Sequence, residues 1–309
     1  MRDPDDDPSG TSASRISPSS AIASSVSPPD EGSPDHAGPG SGSTVDEPTT
    51  GNRFVSGLLL AAFGTFLFAL KSIFIKLAFQ AGAGPTLLLT LRMLMALPFY
   101  VFVLWRLWPI EVEGSRPSRG LIGRALALGF LGYYLASYLD LCGLAYISAQ
   151  MERLTLFVYP AIIAILAAMF LGERLTIRVA LAIALCWMGV LVMYWREREL
   201  LEGSNVGRGV ALVACSALSY SLYVLFAKPT MLQMGSRQFT SLAMIGSTVF
   251  VAGHFAATRP PTELVSAAPS VYAIGLVLAF VCTVLPSFMI SEAIVRIGAT
   301  RTSVIGSVG

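Results

Sequence analysis

The feature that most constrains this chain is a series of apolar segments, each about as long as a membrane-spanning helix. Eight of them lie at 57–79, 86–105, 121–142, 148–171, 177–195, 207–227, 237–257 and 271–291, and a ninth begins near 297. A helix needs about 20 apolar residues to cross a bilayer. Because the loops are short and the segments have no polar face, a large soluble α-domain is excluded. We predict an all-α integral membrane protein.

The charged residues divide the chain into a tail and a body. They make up only 13% of the sequence, against about 25% in soluble domains. Residues 1–53 hold nine of the 19 acidic and three of the 21 basic residues, so residues 54–309 hold ten acidic and 18 basic ones. The tail is also rich in Ser, Pro and Gly. We predict that residues 1–53 form a disordered acidic tail, with a partner-binding tail as the alternative.

Basic residues near the ends of the segments predict the orientation. Eleven lie on the side of the tail: Arg53, Arg106, Arg116, Arg119, Arg124, Arg174, Arg178, Lys228, Arg237, Arg296 and Arg301. Five lie on the opposite side: Lys76, Arg196, Arg198, Arg208 and Arg259. The excess predicts a multi-pass protein of the cytoplasmic (inner or plasma) membrane with its N-terminus in the cytoplasm.

No pattern of metal, cofactor or catalytic chemistry is found. The four cysteines stand singly in apolar segments, and the two histidines, His36 and His254, are far apart. Nucleophile-elbow, zinc-protease, P-loop and dinucleotide-binding motifs are missing from the sequence. We therefore expect neither an enzyme nor a cofactor, and active transport would have to use a gradient of ions, such as protons, or of solutes.

Two pairs of similar segments suggest an internal repeat. The stretch 68–71 resembles 220–223 at an offset of 152, and 147–149 resembles 297–299 at an offset of 150. Five spans separate the copies, and this odd number inverts the second copy in the membrane. Inverted repeats are common in secondary transporters. Chance similarity between apolar helices is the alternative.

The sequence resembles the EamA-like transporter family of the drug/metabolite transporter superfamily. The motifs that carry the resemblance are Gly143-Leu144-Ala145-Tyr146-Ile147-Ser148-Ala149, Tyr159-Pro160, Phe170-Leu171-Gly172-Glu173-Arg174-Leu175-Thr176, Leu91-Arg92, Ser219-Tyr220-Ser221-Leu222-Tyr223 and Arg296-Ile297-Gly298-Ala299-Thr300-Arg301. The resemblance implies ten helices in two inverted five-helix repeats, a central cavity, and secondary transport, usually export, of small metabolites. The first repeat would occupy 54–200 and the second 203–309.

One departure from the family pattern concerns the second repeat. At an offset of 150, Pro160 corresponds to position 310, one residue beyond the sequence. We therefore expect a second repeat that is truncated within its fourth helix. Such a chain would not be expected to transport alone, which leaves a non-transporting relic or an accessory membrane subunit as the alternative function.

Ionisable residues inside the segments are candidate functional groups, because charge at membrane depth is costly. Asp140 and Arg153 are equally far from the turn near 143–148, so an antiparallel hairpin predicts a structural or gating pair. In the second repeat, Glu292 and Arg301 are likewise equally far from the corresponding turn, which predicts a second pair. Glu152 points about 100° away from Arg153. It is the candidate for a proton site or a cation-binding group, with a water-exposed rim carboxylate as the alternative.

The remaining candidates are one lysine, one arginine and two pairs of tyrosines. Lys71, in the middle of the first segment, predicts either a cavity that favours an anionic substrate or an ion pair with another helix. Arg92 matches a family arginine, which implies a helix-packing or cavity-edge role. Tyrosines can stack on and hydrogen-bond small amphipathic solutes, although an aromatic stripe is more often packing. These tyrosines are Tyr134, Tyr138, Tyr220 and Tyr223.

Together these features predict a secondary active exporter of a small amphipathic metabolite. An amino acid or a related carboxylate is the expected substrate, and transport would proceed by alternating access around a cavity at the middle of the membrane.

Overall fold

The computed structural model describes residues 50–107, 118–172, 177–200 and 205–306, and within these ranges the regular structure is entirely helical. The predicted tail lies outside the described residues except for its last four positions, which belong to the first helix.

Fourteen α-helices and two π-helical segments are found in the described ranges. The helices are α1 (Thr50–Ala69), α2 (Lys71–Gln80), α3 (Pro85–Arg106), α4 (Arg119–Gly129), α5 (Ala136–Leu144), α6 (Ala149–Leu156), α7 (Tyr159–Leu171), α8 (Ile177–Leu200), α9 (Val206–Met234), α10 (Ser236–Thr258), α11 (Thr262–Val265), α12 (Pro269–Ala279), α13 (Leu285–Ile297) and α14 (Ala299–Gly306). The π-helical segments are π1 (Phe130–Leu135) and π2 (Phe280–Val284).

Seven helical stretches of the described ranges, some of them made of two or three consecutive helices, are long and apolar enough to cross a membrane. They are Arg53–Gln80, Pro85–Arg106, Arg119–Leu144, Ala149–Phe170, Val206–Met234, Ser236–Thr258 and Pro269–Ile297. Each contains most or all of one predicted segment. The predicted segment 177–195 lies within the 24 residues of α8, which is not among the seven. The segment near 297 corresponds to α14, whose described part has 8 residues.

The helices of residues 50–200 pack mainly on those of residues 205–306, which we call the first and second halves. The largest interfaces join α1 to α13, α3 to α10, and α5 to α9. Small residues allow the close approach: a Cβ on Gly209 would lie 3.1 Å from the carbonyl oxygen of Gly143. Since lipid provides no hydrophobic drive between helices, such close packing is a main source of their association. The two halves are therefore interlocked.

Each π-helical segment frees backbone carbonyls, and hydroxyl groups bind them. The Ser219 hydroxyl of α9 donates to the Leu131 carbonyl at 2.8 Å, and the Ser247 hydroxyl of α10 donates to the Gly129 carbonyl at 2.8 Å. In π2 the Thr283 hydroxyl donates to the Leu278 carbonyl at 2.7 Å. Unpaired carbonyls are costly in a membrane, so these bonds permit the wider turns.

Candidate functional site

The site begins at a break in the first membrane-length helix. α1 ends before Leu70 and α2 begins after it, and the backbone bonds that cross the break, from Leu70 to Phe66 and from Phe74 to Leu70, are both 3.4 Å long. The Arg153 guanidinium of α6 donates to the Phe68 carbonyl at 2.8 Å. A side chain that binds a carbonyl inside the helical ladder is a recognised cause of a helix break.

One ion pair joins the broken helix to the hairpin of α5 and α6, and a second lies within α6. The Lys71 ammonium lies 2.5 Å from Asp140 Oδ2, and Arg153 Nε lies 3.5 Å from Glu152 Oε2. The Ser72 hydroxyl donates to Glu152 Oε2 at 2.7 Å and accepts from the Arg153 guanidinium at 2.7 Å. We call these five residues the charge cluster. Full ionisation leaves it neutral.

Burial explains why these charges are paired. Lys71 is 3% exposed, Asp140 1% and Glu152 0%. Removing one partner of a buried ion pair costs several kcal/mol because the other charge remains uncompensated. The water-exposed alternative for Glu152 is therefore wrong. The pairing predicted for Lys71 is found, and its partner is Asp140.

The two predicted acid–base pairs are replaced by other contacts. Asp140 contacts Lys71 rather than Arg153, because the Arg153 guanidinium is held by Glu152 and by the Phe68 carbonyl. Hairpin geometry predicts equal depth for Asp140 and Arg153 but contains no information about the first helix.

In the second half, Glu292 pairs with Arg296 one turn away at 2.9 Å and also accepts from the Ser236 hydroxyl. The Arg301 guanidinium lies over the Phe54 ring instead, 5.6 Å from its centroid. The i,i+4 spacing on one helix provides a nearer partner for Glu292 than the next helix does.

A cavity of about 70 Å³ adjoins the charge cluster. Both halves form its wall, which consists of Thr65, Phe68, Lys71, Gly132, Ala136, Ser137, Asp140, Arg153, Leu156, Phe157, Tyr159, Ser216, Ala217, Tyr220, Ile290 and Gly306. Two further cavities of about 20 Å³ each share part of this wall. One is bordered by Arg92, Tyr133, Thr283 and Ser287, and the other by Tyr159, Thr302 and Ser303.

Only one of the four predicted tyrosines lines these cavities. Tyr220 contributes to all three. The buried Tyr223 is hydrogen-bonded through its hydroxyl to Tyr133 at 2.7 Å. The Tyr134 hydroxyl bonds His254 Nδ1 at 2.8 Å, and the Tyr138 ring lies 4.6 Å from the His254 ring. These three tyrosines thus contact other side chains and do not line the three cavities.

Arg92 lies at the edge of the second cavity and is 3% exposed. The hydrogen bonds and ion pairs found among the described residues include none from its guanidinium, and its Nε is buried without an acceptor. The family resemblance left helix packing and the cavity edge open. The structure places Arg92 at the cavity edge.

Some polar contacts were not foreseen from the sequence. The Ser72 hydroxyl hydrogen-bonds both Glu152 and Arg153. A serine in an apolar helix does not by itself indicate a functional residue. The buried Glu197 of α8 accepts from the Ser148 hydroxyl at 2.9 Å and from the Ser148 amide, at the beginning of α6. Its position near the end of an apolar segment could have indicated a helix-capping carboxylate.

The described ranges contain no group of three or more His, Cys, Asp or Glu residues that could hold a metal ion. Cys142 and Cys282 are free thiols.

Comparisons with known proteins provide an independent view of the chain. The model of the EamA-like transporter family matches residues 55–195. The "Uncharacterized transporter YcbK" of Bacillus subtilis (strain 168) is 28% identical over 260 residues, which cover 82% of this chain and 81% of the relative. An "Uncharacterized transporter" of Archaeoglobus fulgidus is 27% identical over 136 residues, 44% of this chain and 47% of the relative.

A solved structure described only as "Crystal structure of protein" has a similar fold. Its TM-score is 0.56 at 15% sequence identity, and the match covers 82% of this chain and 85% of the other. At this identity the likeness concerns the fold alone.

Proposed function

The chain belongs to the EamA-like transporter family of the drug/metabolite transporter superfamily, and from this premise we propose that it is a secondary active exporter of a small amphipathic metabolite. An amino acid or a related carboxylate is the proposed substrate class. Family membership makes the chain a multi-pass membrane transporter. The direction, the substrate and the coupling are the proposal.

The proposal includes an inverted-repeat architecture. Helix starts at Arg119 and Pro269, at Ala149 and Ala299, and the two π-helical segments are each separated by 150 residues. The packing is also reciprocal, since α1 meets α13 while α9 meets α5 and π1. Reciprocal contacts are expected for two units related by a two-fold axis. These correspondences support a pair of inverted repeats.

The observation that carries the proposal is the position of the cavities. Their walls combine residues of both halves and include three members of the charge cluster. In inverted-repeat transporters the substrate lies at the interface between the repeats. The cavities are far smaller than the roughly 300 Å³ at the lower end of small-molecule pockets. A metabolite would therefore enter only when the halves move apart, as alternating access requires.

We assign different roles to the candidate residues. Tyr220 contacts the substrate, because it borders all three cavities. Lys71 and Asp140 hold the broken first helix against α5. Glu152 exchanges the coupling proton, since its Oε1 is buried without a hydrogen-bond partner. Tyr134, Tyr138 and Tyr223 pack the surrounding helices.

Export can be tested by metabolite profiling of the spent medium of cells that overexpress the full chain. We expect one or a few amphipathic metabolites to accumulate outside, and to do so less with Tyr220→Phe. Equal extracellular profiles with and without the protein would favour the non-transporting relic or accessory subunit.

Proton coupling can be tested with Glu152→Gln. The exported metabolite is loaded into liposomes that contain the purified protein, and its efflux is measured against external pH. We expect wild-type efflux to depend on pH and the variant to lose most of that dependence, because the amide cannot exchange a proton. Glu263→Gln, which changes a partly exposed carboxylate of α11, is the matched control. An unchanged pH profile in Glu152→Gln would remove the coupling role.

The proposed location is the cytoplasmic membrane with a cytoplasmic N-terminus. The orientation rests on the distribution of Lys and Arg and on the positive-inside rule. Single cysteines at Ser266 and at Arg53, in a background without the four native cysteines, would be labelled from opposite sides of the membrane by an impermeant maleimide. Labelling of both positions from the same side of the membrane would contradict the proposed topology.

A further inference from the structure

The charges beside the cavities do not balance. Lys71 pairs with Asp140, and Arg153 pairs with Glu152. The remaining buried carboxylate of the first half, Glu197, binds Ser148 at the start of α6 and borders none of the three cavities, so Arg92 is a further buried cation. Among the described residues it has neither an ion pair nor a hydrogen bond, although it is 3% exposed. Arginine remains charged in proteins, and a desolvated charge without a counterion is costly.

The cavity beside Arg92 contains further hydrogen-bond donors. Ser137 and Tyr220 line it, and no hydrogen bond of their hydroxyl groups is found within the described ranges. The neighbouring hydroxyls are already engaged: Thr283 and Ser287 donate to carbonyls of their own helix at 2.7 and 2.8 Å. The polar groups that remain for a ligand are therefore one guanidinium and two hydroxyls.

The rest of this wall is apolar. Phe68, Met93 and Ile290 border the same cavity, and Gly132 provides the space. The surroundings thus suit a molecule with one polar end and one apolar end. A guanidinium binds a planar carboxylate through two parallel hydrogen bonds, which also fixes the orientation of the ligand.

We infer that Arg92 binds the carboxylate of the transported metabolite, with the Ser137 and Tyr220 hydroxyls as additional donors. A single surplus positive charge matches a monoanion, so a phosphate, which carries more negative charge, fits less well. This inference rests on the proposed carrier function and specifies the group that its substrate carries. It moves the preference for an anion from Lys71, which Asp140 neutralises, to Arg92.

The test is ligand-induced thermal stabilisation of the purified full chain in detergent, because binding to the folded state raises its midpoint of unfolding. The probes are two matched pairs, L-leucine with L-leucinamide and butyrate with butyramide, and inorganic phosphate. We expect stabilisation of the wild type by the carboxylates at millimolar concentration, and little or none by the amides and phosphate. Arg92→Gln is expected to weaken carboxylate binding at least about tenfold, and Arg92→Lys less.

Two controls separate binding from structure. Arg106→Gln makes the same change at an exposed position of the same helix and should leave the stabilisation unchanged. Ligand-free Arg92→Gln should unfold at or above the wild-type midpoint, because removing an uncompensated buried charge is not destabilising. A lower midpoint would identify Arg92 as a structural counterion and overturn the inference.

The remaining outcomes are also decisive. Equal stabilisation by carboxylates and amides, stabilisation by phosphate alone, or no stabilisation by any probe would overturn the carboxylate site. Carboxylate binding that depends on Arg92, without export from cells, would support the site and contradict the carrier function. Export of an uncharged or cationic metabolite would support the carrier and contradict the site.

Discussion

The two halves of the molecule fill corresponding places with different chemistry. In the first half, Lys71, Glu152 and Arg153 are charged members of the charge cluster. At offsets of 152, 150 and 150, the second half has Tyr223, Thr302 and Ser303. These three are buried and bind through hydroxyl groups.

Two similar sets of helices can therefore differ in how many buried charges they hold. Hydroxyl groups keep their protonation state at physiological pH, whereas carboxylates can exchange protons. Losing one partner of a buried ion pair also lowers the free energy of unfolding more than losing one partner of a hydroxyl contact, because the other partner remains as an uncompensated charge. Under the proposed function, the first half responds to protons and the second half serves as its neutral counterpart.

The largest expected effect is that of Lys71→Met. It leaves the buried Asp140 without its counterion and should lower the free energy of unfolding by about 3–5 kcal/mol, measured by denaturant titration of the purified protein. Tyr223→Phe, at the corresponding place in the second half, should cost only about 1 kcal/mol. Lys71→Met/Asp140→Leu should recover much of the loss. Equal losses in the two single variants would remove the contrast between the halves.

An intermediate effect is expected from Gly132→Ala in π1. The new Cβ would lie 2.3 Å from Cγ of Tyr223, on a ring that is itself buried. Overpacking of this kind costs about 1–3 kcal/mol, which should appear as a lower midpoint of thermal unfolding.

A second substitution locates the cause. In a Tyr223→Ala background, where the ring is missing, Gly132→Ala should cost much less. The same loss in both backgrounds would mean that the backbone of π1, and not contact with α9, requires glycine.

The smallest expected effect concerns the hydrogen bond between the Tyr133 and Tyr223 hydroxyls, 2.7 Å apart. A double-mutant cycle with Tyr133→Phe and Tyr223→Phe should give a coupling of about 0.5–1.5 kcal/mol, measured as free energies of unfolding. Tyr100→Phe, which loses a 2.9 Å contact with Ser287, provides a matched single change. Coupling of several kcal/mol would indicate that this neutral contact carries as much energy as an ion pair.

The spans could be predicted closely from the sequence because hydropathy is a local property of the chain. The segment 86–105, for example, lies within α3, Pro85–Arg106. The break at Leu70 could not be predicted, since neither proline nor glycine marks it and its cause, Arg153, is distant in sequence. The two π-helical segments likewise depend partly on hydroxyl groups from neighbouring helices.

The candidate site was predictable in its residue types but not in its pairs. Charge at membrane depth drew attention to Lys71, Asp140, Glu152 and Arg153, and all four meet in the charge cluster. The Lys71–Asp140 contact depends on how α2 packs against α5, which no sequence spacing contains. For the same reason, the importance of Arg92 emerges only once the other charges have found partners.

The interlocked halves have a consequence for biosynthesis. α1 ends at Ala69, and its main partner α13 begins only at Leu285. At translation rates of about 5–20 residues per second, the first helix waits roughly 10–40 s for that partner. During this interval its glycine-containing face, with Gly57 and Gly64, is open to other nascent helices. The first helix therefore reaches its final packing only late in synthesis, once α13 has been made.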